Sequence, residues 1–396
     1  MPLCAVESLR VMVGFWRHAT TLCAVLVVAA CSSNPPAAIF SPKPAPSPLP
    51  LVPGDYGPPP AGAPLLYMHD PNHGAWLVGL DWRGNPVTTV KPVQTKSQQA
   101  PDGSLFQVYP GGGGSVWTGK FLDRLGQPLK AVVLPKGVAG GLDMWADDSR
   151  HVCLVSDDPA DSSWRLVIAG PEVPTQVLEL PFVAPSQKWS PLTVAACSPG
   201  NDRAVVVRRG VEFVSPIVNS WVTDVWVVRL SDGGVVAHHS YPAHSPSNFV
   251  VSADATYIAE NSPSAPAANG TVSSQIRRVS DWSSLETLGA RIDSFSGDDA
   301  LVLVEPGATH TETEPRHSAA VVDWRSGGTL WHETSEDYYK GFIAQPGGRD
   351  FAIARGGLIL PSCSEASWTC GSALRIEIVR GDGSAITLSD LYKPAW

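Results

Sequence analysis

The sequence predicts an all-β protein, and three observations carry that prediction. From Leu65 onward apolar and polar residues alternate with period two, and no stretch keeps helical spacing. The apolar runs are short, rich in Val, Ile, Leu and aromatic residues, and bounded by Gly, Asp, Asn, Pro and Ser. The turns between them recur every 44 to 54 residues or so, with a second kind of turn in between.

The first element is an address. Arg10, Arg17 and His18 precede an apolar run from Leu22 to Ala30 that stops at Cys31. A basic start, a short apolar stretch and small residues before a cut describe a secretory signal over residues 1–30, and Met12–Ala30 alone already has these parts. The run falls short of the roughly 20 residues a membrane span needs. Val28-Ala29-Ala30-Cys31 resembles the bacterial lipobox. That resemblance implies that Cys31 is acylated through its sulfur, becomes the mature N-terminus and holds the chain on the extracytoplasmic side of the cell membrane. Each buried CH₂ of such chains contributes about 0.8 kcal/mol.

Residues 31–64 form the second element. Pro35-Pro36, the series Pro42, Pro44, Pro46, Pro48 and Pro50, and Pro58-Pro59-Pro60 forbid helix and sheet and favour an extended, disordered tether. At about 3.1 Å per residue it reaches roughly 90 Å.

Residues 65–396 are the folded domain. Strands are expected at 75–80, 104–109, 151–156, 165–169, 203–207, 222–229, 300–305, 319–323, 351–355 and 374–379. One class of turn starts at Ala100, Ala146, Ser198, Ser252, Ser296 and Gln345. The other starts at Asp81, Asp123, Ser231, Asp281, Asp323 and Gly381, with a looser member at Ala169. Two alternating hairpin classes mean four strands per repeat. The length then gives about seven repeats, with the last closing against the first: a single β-propeller of seven four-stranded blades. Sandwiches need longer repeats and β-helices shorter ones. The turns at Ala100–Gly103 and Ser198–Gly200 resemble the Ser-Pro-Asp-Gly turn of TolB-like and Trp-Asp-repeat-like propellers of bacterial envelopes. The resemblance implies a scaffold and no reaction.

Cysteine usage agrees with export. Cys4 and Cys23 leave with the signal and Cys31 takes lipid, so Cys153, Cys197, Cys363 and Cys370 remain. An even remainder predicts two disulfides in one of three pairings. The favoured one joins Cys363 to Cys370 and Cys153 to Cys197. No Cys-x-x-Cys pair occurs, which disfavours a zinc ribbon.

The formal charge is −9, and loss of residues 1–30 with Arg10, Arg17 and Glu7 leaves 26 basic and 36 acidic residues. No basic cluster reverses this, so nucleic acid is not an expected partner.

Several strings invite a chemical reading. Val321 to Trp331 resembles the tryptophan-docking motif of quinoprotein propellers, in which the Trp packs between blades; it occurs once here, without an adjacent-Cys pair. His69 and His73, His238 and His239 with His244, and His310 and His317 with Glu312 and Glu314 read as surface turns and strand residues. Neighbours in a strand face opposite ways, which keeps His238 and His239 from one metal ion. Asp157, Asp158 and Asp161 read as a solvated acidic turn, since no twelve-residue calcium loop is present. Gly111–Gly114 lacks the Lys and helix of a phosphate site. Trp82, Trp145, Trp226, Trp282, Trp324 and Trp331 read as packing between blades. No nucleophile elbow, zinc-protease or phosphate-loop string occurs, so the sequence nominates no catalytic residue, metal ligand or cofactor. The expected role is a non-enzymatic binding or scaffolding module with an envelope protein as partner. A hydrolase, lyase or sugar-binding protein with its site in the central channel is the other reading.

Overall fold

The computed structural model describes residues 63–69, 77–90, 97–100, 105–110, 117–123, 127–134, 144–158, 163–181, 192–215, 218–242, 248–263, 272–306, 318–335, 338–356, 375–388 and 393–394. All of them belong to one compact unit, Ala45–Trp396. Residues 1–44, with the expected signal and lipid site at Cys31, lie outside the described residues, as do Cys363 and Cys370.

The domain is a seven-bladed β-propeller. Seven antiparallel sheets of four strands follow one another, each a simple meander except the first. Blades 2 to 7 occupy residues 97–134, 144–180, 193–242, 248–288, 290–334 and 338–387. Blade 1 takes its second, third and fourth strands from Leu66–His69, Leu77–Leu80 and Pro86–Val90. Its first strand is the C-terminal Lys393–Pro394, where Met68 pairs with Pro394 and His69 with Lys393. The ring therefore closes by joining the two ends of the domain. From blade 2 to blade 7, each first strand lies beside the first strand of the next blade, which makes it the innermost strand around the axis.

The burial follows from the strand period. Alternate residues of the middle strands face alternate neighbours, so each blade carries apolar side chains on both faces. On blade 7, Phe351, Ile353 and Val379 pack toward blade 6, while Ala352, Ala354, Ile376 and Ile378 pack toward blade 1. The second and third strands are thus nearly continuous apolar runs, whereas outer strands such as Gly328–Thr334 are largely exposed.

Two expectations are corrected in detail. The strand expected at 203–207 runs on through Arg203–Ser215, because its long partner Val218–Arg229 continues the ladder. Asp157 and Asp158, read as part of a turn, are the last residues of strand Val152–Asp158 and pair with Trp164 and Ser163. The polar side chains suited a turn, but the cross-strand ladder extends past them; Asp161 lies outside the described residues.

Both recurrent turn classes have a physical cause. In the turns between third and fourth strands, an Asp carboxylate accepts backbone N–H groups of the turn it starts. Asp81 accepts from Arg83 (2.9 Å) and Asn85 (2.8 Å), Asp123 from Gln127 (2.7 Å), Asp281 from Ser283 (3.0 Å), and Asp323 from Arg325 (3.0 Å). The Ser283 hydroxyl together with its N–H holds the Asp281 carboxyl below the usual range, and the N–H groups of Ser326 and Arg325 do the same for Asp323. In the turns between first and second strands, Ser149, Ala255 and Asp299 take the left-handed conformation at matching positions, with φ near 57°. A meander of four antiparallel strands puts both turn classes on one face of the ring.

Candidate functional site

The turn face is the best-defined candidate surface, because its innermost turns are stitched from blade to blade. Between blades 3 and 4, Ser198 Oγ donates to Asp147 Oδ2 (2.6 Å) and Asp147 N–H to the Cys197 carbonyl (3.1 Å). Between blades 4 and 5, Asn201 Nδ2 donates to the Asp254 carbonyl (2.8 Å). Between blades 5 and 6, Arg325 Nη2 donates to the Tyr257 hydroxyl (3.4 Å). Between blades 6 and 7, Asp298 N–H donates to the Gly348 carbonyl (3.1 Å), and Arg349 Nε meets Asp298 Oδ2 at 2.6 Å. Gly297 belongs to this last join. A Cβ there would lie 2.2 Å from the Gln345 carbonyl oxygen, so only glycine lets the two turns approach.

The electrostatics of this face are acidic. Burial raises the Asp147 carboxyl, relieved by its Ser198 bond and aggravated by Asp148 and Asp254. Burial pushes Asp299 to about 8, with the Asp254 charge adding to it. Asp254 stays low because Ser252 Oγ (2.7 Å), Thr256 N–H (2.8 Å) and Thr256 Oγ1 all donate to it. Groups of three or more His, Cys, Asp or Glu placed to hold a metal ion do not occur among the described residues.

The seams between blades hold three further clusters of charge and aromatic rings. At the seam of blades 3 and 4, Arg208 is buried with its guanidinium 5.5 Å from the Trp164 ring and 5.2 Å from the Trp226 ring, and 3.5 Å from Asp224. His238 stacks on Trp226 and meets Asp224 at 3.0 Å. The disulfide Cys153–Cys197 crosses the same seam, one of the two bridges expected. At the seam of blades 4 and 5, Tyr241 donates to Glu260 and accepts from Trp282 Nε1 (3.0 Å), while Arg277 Nε meets Glu260 at 2.8 Å. Burial and the neighbouring Glu260 raise the Tyr241 hydroxyl. His239 stacks on Trp282 at 3.8 Å, and burial lowers its pKa. At the seam of blades 6 and 7, fully buried Arg355 bridges Glu333 and Glu377, both at 3.1 Å, and Arg375 pairs with the same two carboxylates. Burial pushes Glu377 to about 7.

The residues singled out in the sequence fall as follows. His238 and His239 leave their strand on opposite faces, toward blade 3 and blade 5. Trp82, Trp145 and Trp324 are buried in the clusters between blades, and Trp331 packs at the seam of blades 6 and 7 under Arg355. His69 is a strand residue paired with Lys393. His73, Gly111–Gly114, His244, His310, Glu312, Glu314 and His317 lie outside the described residues. Sequence reasoning missed Arg208, Glu260, Arg277, Arg355 and Glu377. Their signal was a charged residue at an inward position of an apolar strand, as in Phe351-Ala352-Ile353-Ala354-Arg355.

No family model matches the chain, and no curated protein does. Solved propellers are similar in architecture. The β-propeller domain of the Trilobed protease from Pyrococcus furiosus is 11% identical, with a TM-score of 0.44 over 75% of this chain and 82% of that one. The Cps50 (Swd1) propeller domain of Myceliophteria thermophila is 11% identical, with a TM-score of 0.42 over 76% of this chain and 94% of that one. A peptidase, the acylaminoacyl peptidase of Pyrococcus horikoshii, is 8% identical, with a TM-score of 0.46 over 71% of this chain and 43% of that one. Such likenesses concern the fold alone.

Proposed function

We propose that this chain is a lipid-anchored extracytoplasmic lipoprotein whose propeller is a non-enzymatic binding or scaffolding module for an envelope protein. The stitched turn face is the observation that carries the binding reading. Hydrogen bonds between blades 3 and 4, 4 and 5, 5 and 6, and 6 and 7 hold its turns in fixed relation, so a partner meets a surface already organised for it. Its exposed Asp side chains favour a partner that presents basic residues. The Val28-Ala29-Ala30-Cys31 string supports the anchor, and the interblade disulfide supports an oxidising compartment.

Two experiments test the reading. In cells, the wild-type chain is expected to take up labelled palmitate and sediment with membranes, and Cys31→Ser to do neither; a wild-type chain that is unlabelled and soluble removes the anchor. Photo-crosslinkers at Asp232 and Asp382 on the turn face are expected to trap one envelope protein, and Lys substitutions at neighbouring turn carboxylates to abolish the adduct. Turnover of a defined substrate by the purified protein, lost on mutating carboxylates at the channel, would replace the scaffold with an enzyme.

A further inference from the structure

We propose that a cleft at the rim of blades 5 and 6 receives one aromatic side chain, an indole above all, carried by the protein that meets the turn face; the inference rests on the reading of that face as a binding surface. The cleft measures about 340 Å³, at the small end of the roughly 300–1,000 Å³ of ligand pockets. Buried Val304, Ala320 and Val322 of blade 6 form its floor, and exposed Thr329 and His332 of the outer strand stand at its edge. Leu288 of blade 5 and the linking Gly289 form the opposite wall. The lining residues include no Lys, Arg, Asp or Glu, which favours a neutral ring over a charged group.

The pairing register of the repeat shows why the cleft exists. In blade 4, Trp226 of the third strand lies between Val206 and His238. In blade 6 the same place is taken by Ala320, between Val304 and His332, and in both blades the ladder to the outer strand shifts register one residue later. The equivalents are Gln275 in blade 5, between Glu260 and Thr287, and Glu377 in blade 7, between Ile353 and Thr387. Long side chains thus hold this place in blades 4, 5 and 7, and blade 6 puts a methyl group there.

Blade 4 also shows what fits. The Trp226 indole lies buried in the seam toward blade 3, with the His238 imidazole stacked on it at 5.0 Å and the two planes 5° apart. His332 stands at the place of His238, so an indole entering the cleft meets an imidazole as Trp226 does. The two sides are already fixed. Ser274 Oγ of blade 5 donates to the Ala290 carbonyl (2.6 Å), and Asn261 Nδ2 donates to the Ile292 carbonyl (2.7 Å), so little ordering is left for the ring to bring about. The cleft reaches the turn face at Gly327, which belongs to the turn between the third and fourth strands of blade 6. A Cβ at Gly327 or Gly289 would meet nothing within 4 Å, so both glycines border open space. A partner seated on the turn face can therefore place one aromatic anchor in the cleft, and such anchors carry much of the energy of interfaces.

Titration of the full chain with N-acetyl-5-fluorotryptophan amide, followed by fluorine NMR, tests the cleft without a partner. Saturable binding at about millimolar concentration is expected, as suits a single ring. Ala320→Trp puts an indole where blade 4 holds one and is expected to weaken binding of the probe by about tenfold or more. His332→Ala removes the stacking ring from an exposed position and is expected to weaken it by about threefold or more; this variant decides the matter if A320W does not fold. A wild-type chain without saturable binding, or binding that these substitutions leave unchanged, overturns the proposal and leaves the turn-face reading standing. Photo-crosslinking from Asp382 adds the partner's side: the same variants are expected to cut the yield of adduct several-fold, and an adduct at full yield overturns the proposal equally.

Discussion

A buried arginine in an apolar seam is held by the charges it meets, and removing it exposes them to one another. Arg355 is fully buried between Glu333 and Glu377, with Arg375 on their outer side. Arg355→Met leaves two carboxylates with one cation, and the expected loss is about 3–5 kcal/mol, measured by urea unfolding. R355M combined with Glu377→Leu is expected to recover part of that loss, because the orphaned charge goes as well. A single variant as stable as wild type would mean that the quartet is solvated and carries no strength. Gly297→Ala acts at the same scale by crowding. Its methyl carbon would lie 2.2 Å from the Gln345 carbonyl oxygen, a backbone atom that cannot rotate away. A loss of about 1–3 kcal/mol is expected, with loosening of the turns of blades 6 and 7 in hydrogen exchange.

The strands and turns lend themselves to tests of closure. Deleting residues 392–396 removes the first strand of blade 1, Lys393–Pro394, and leaves Met68 and His69 paired only with Val78 and Leu77 on their other side. The truncated chain is expected to melt several degrees lower and to be cut first within blade 1 by limited proteolysis. The Cys153–Cys197 bridge spans 44 residues and ties blade 3 to blade 4. The chain-entropy model sets its contribution at up to about 4 kcal/mol, so reduction is expected to lower stability by a comparable or smaller amount. Much of this architecture was legible from the sequence. Turns at Ser252 and Ser296, and Asp residues at 281 and 323, repeat because each pair performs the same backbone bonding in blades 5 and 6. The outer strands were hard to read, since a strand such as Gly328–Thr334 buries little and keeps no apolar alternation. The short first strands, such as Met144–Trp145, were hard to read as well. The influence of Asp254 on Asp299 was invisible for another reason: the two are 45 residues apart and only the ring brings their turns near each other, and either one alone is an ordinary turn Asp.

The molecule as a whole should respond to pH in a direction set by its buried acids. Asp299, pushed to about 8, and Glu377, pushed to about 7, hold protons in the native state that the unfolded chain releases near pH 4. Between about pH 4 and 8 the native state therefore binds more protons than the unfolded one, and stability falls as pH rises through that window. The lowered carboxyls work the other way: the stability contributed by Asp254 and Asp298 is present above pH 4 and is lost as pH drops through their folded values. The net charge of −9 adds self-repulsion at the alkaline end. The two trends place maximal stability on the acid side of neutrality, and calorimetry is expected to give a higher Tm at pH 5.5 than at pH 8.5. Asp299→Asn removes the largest proton difference, so the gap in Tm between those two conditions should shrink in that variant. A wild-type Tm that rises from pH 5.5 to 8.5 would show that Asp299 and Glu377 are ionised in the folded protein.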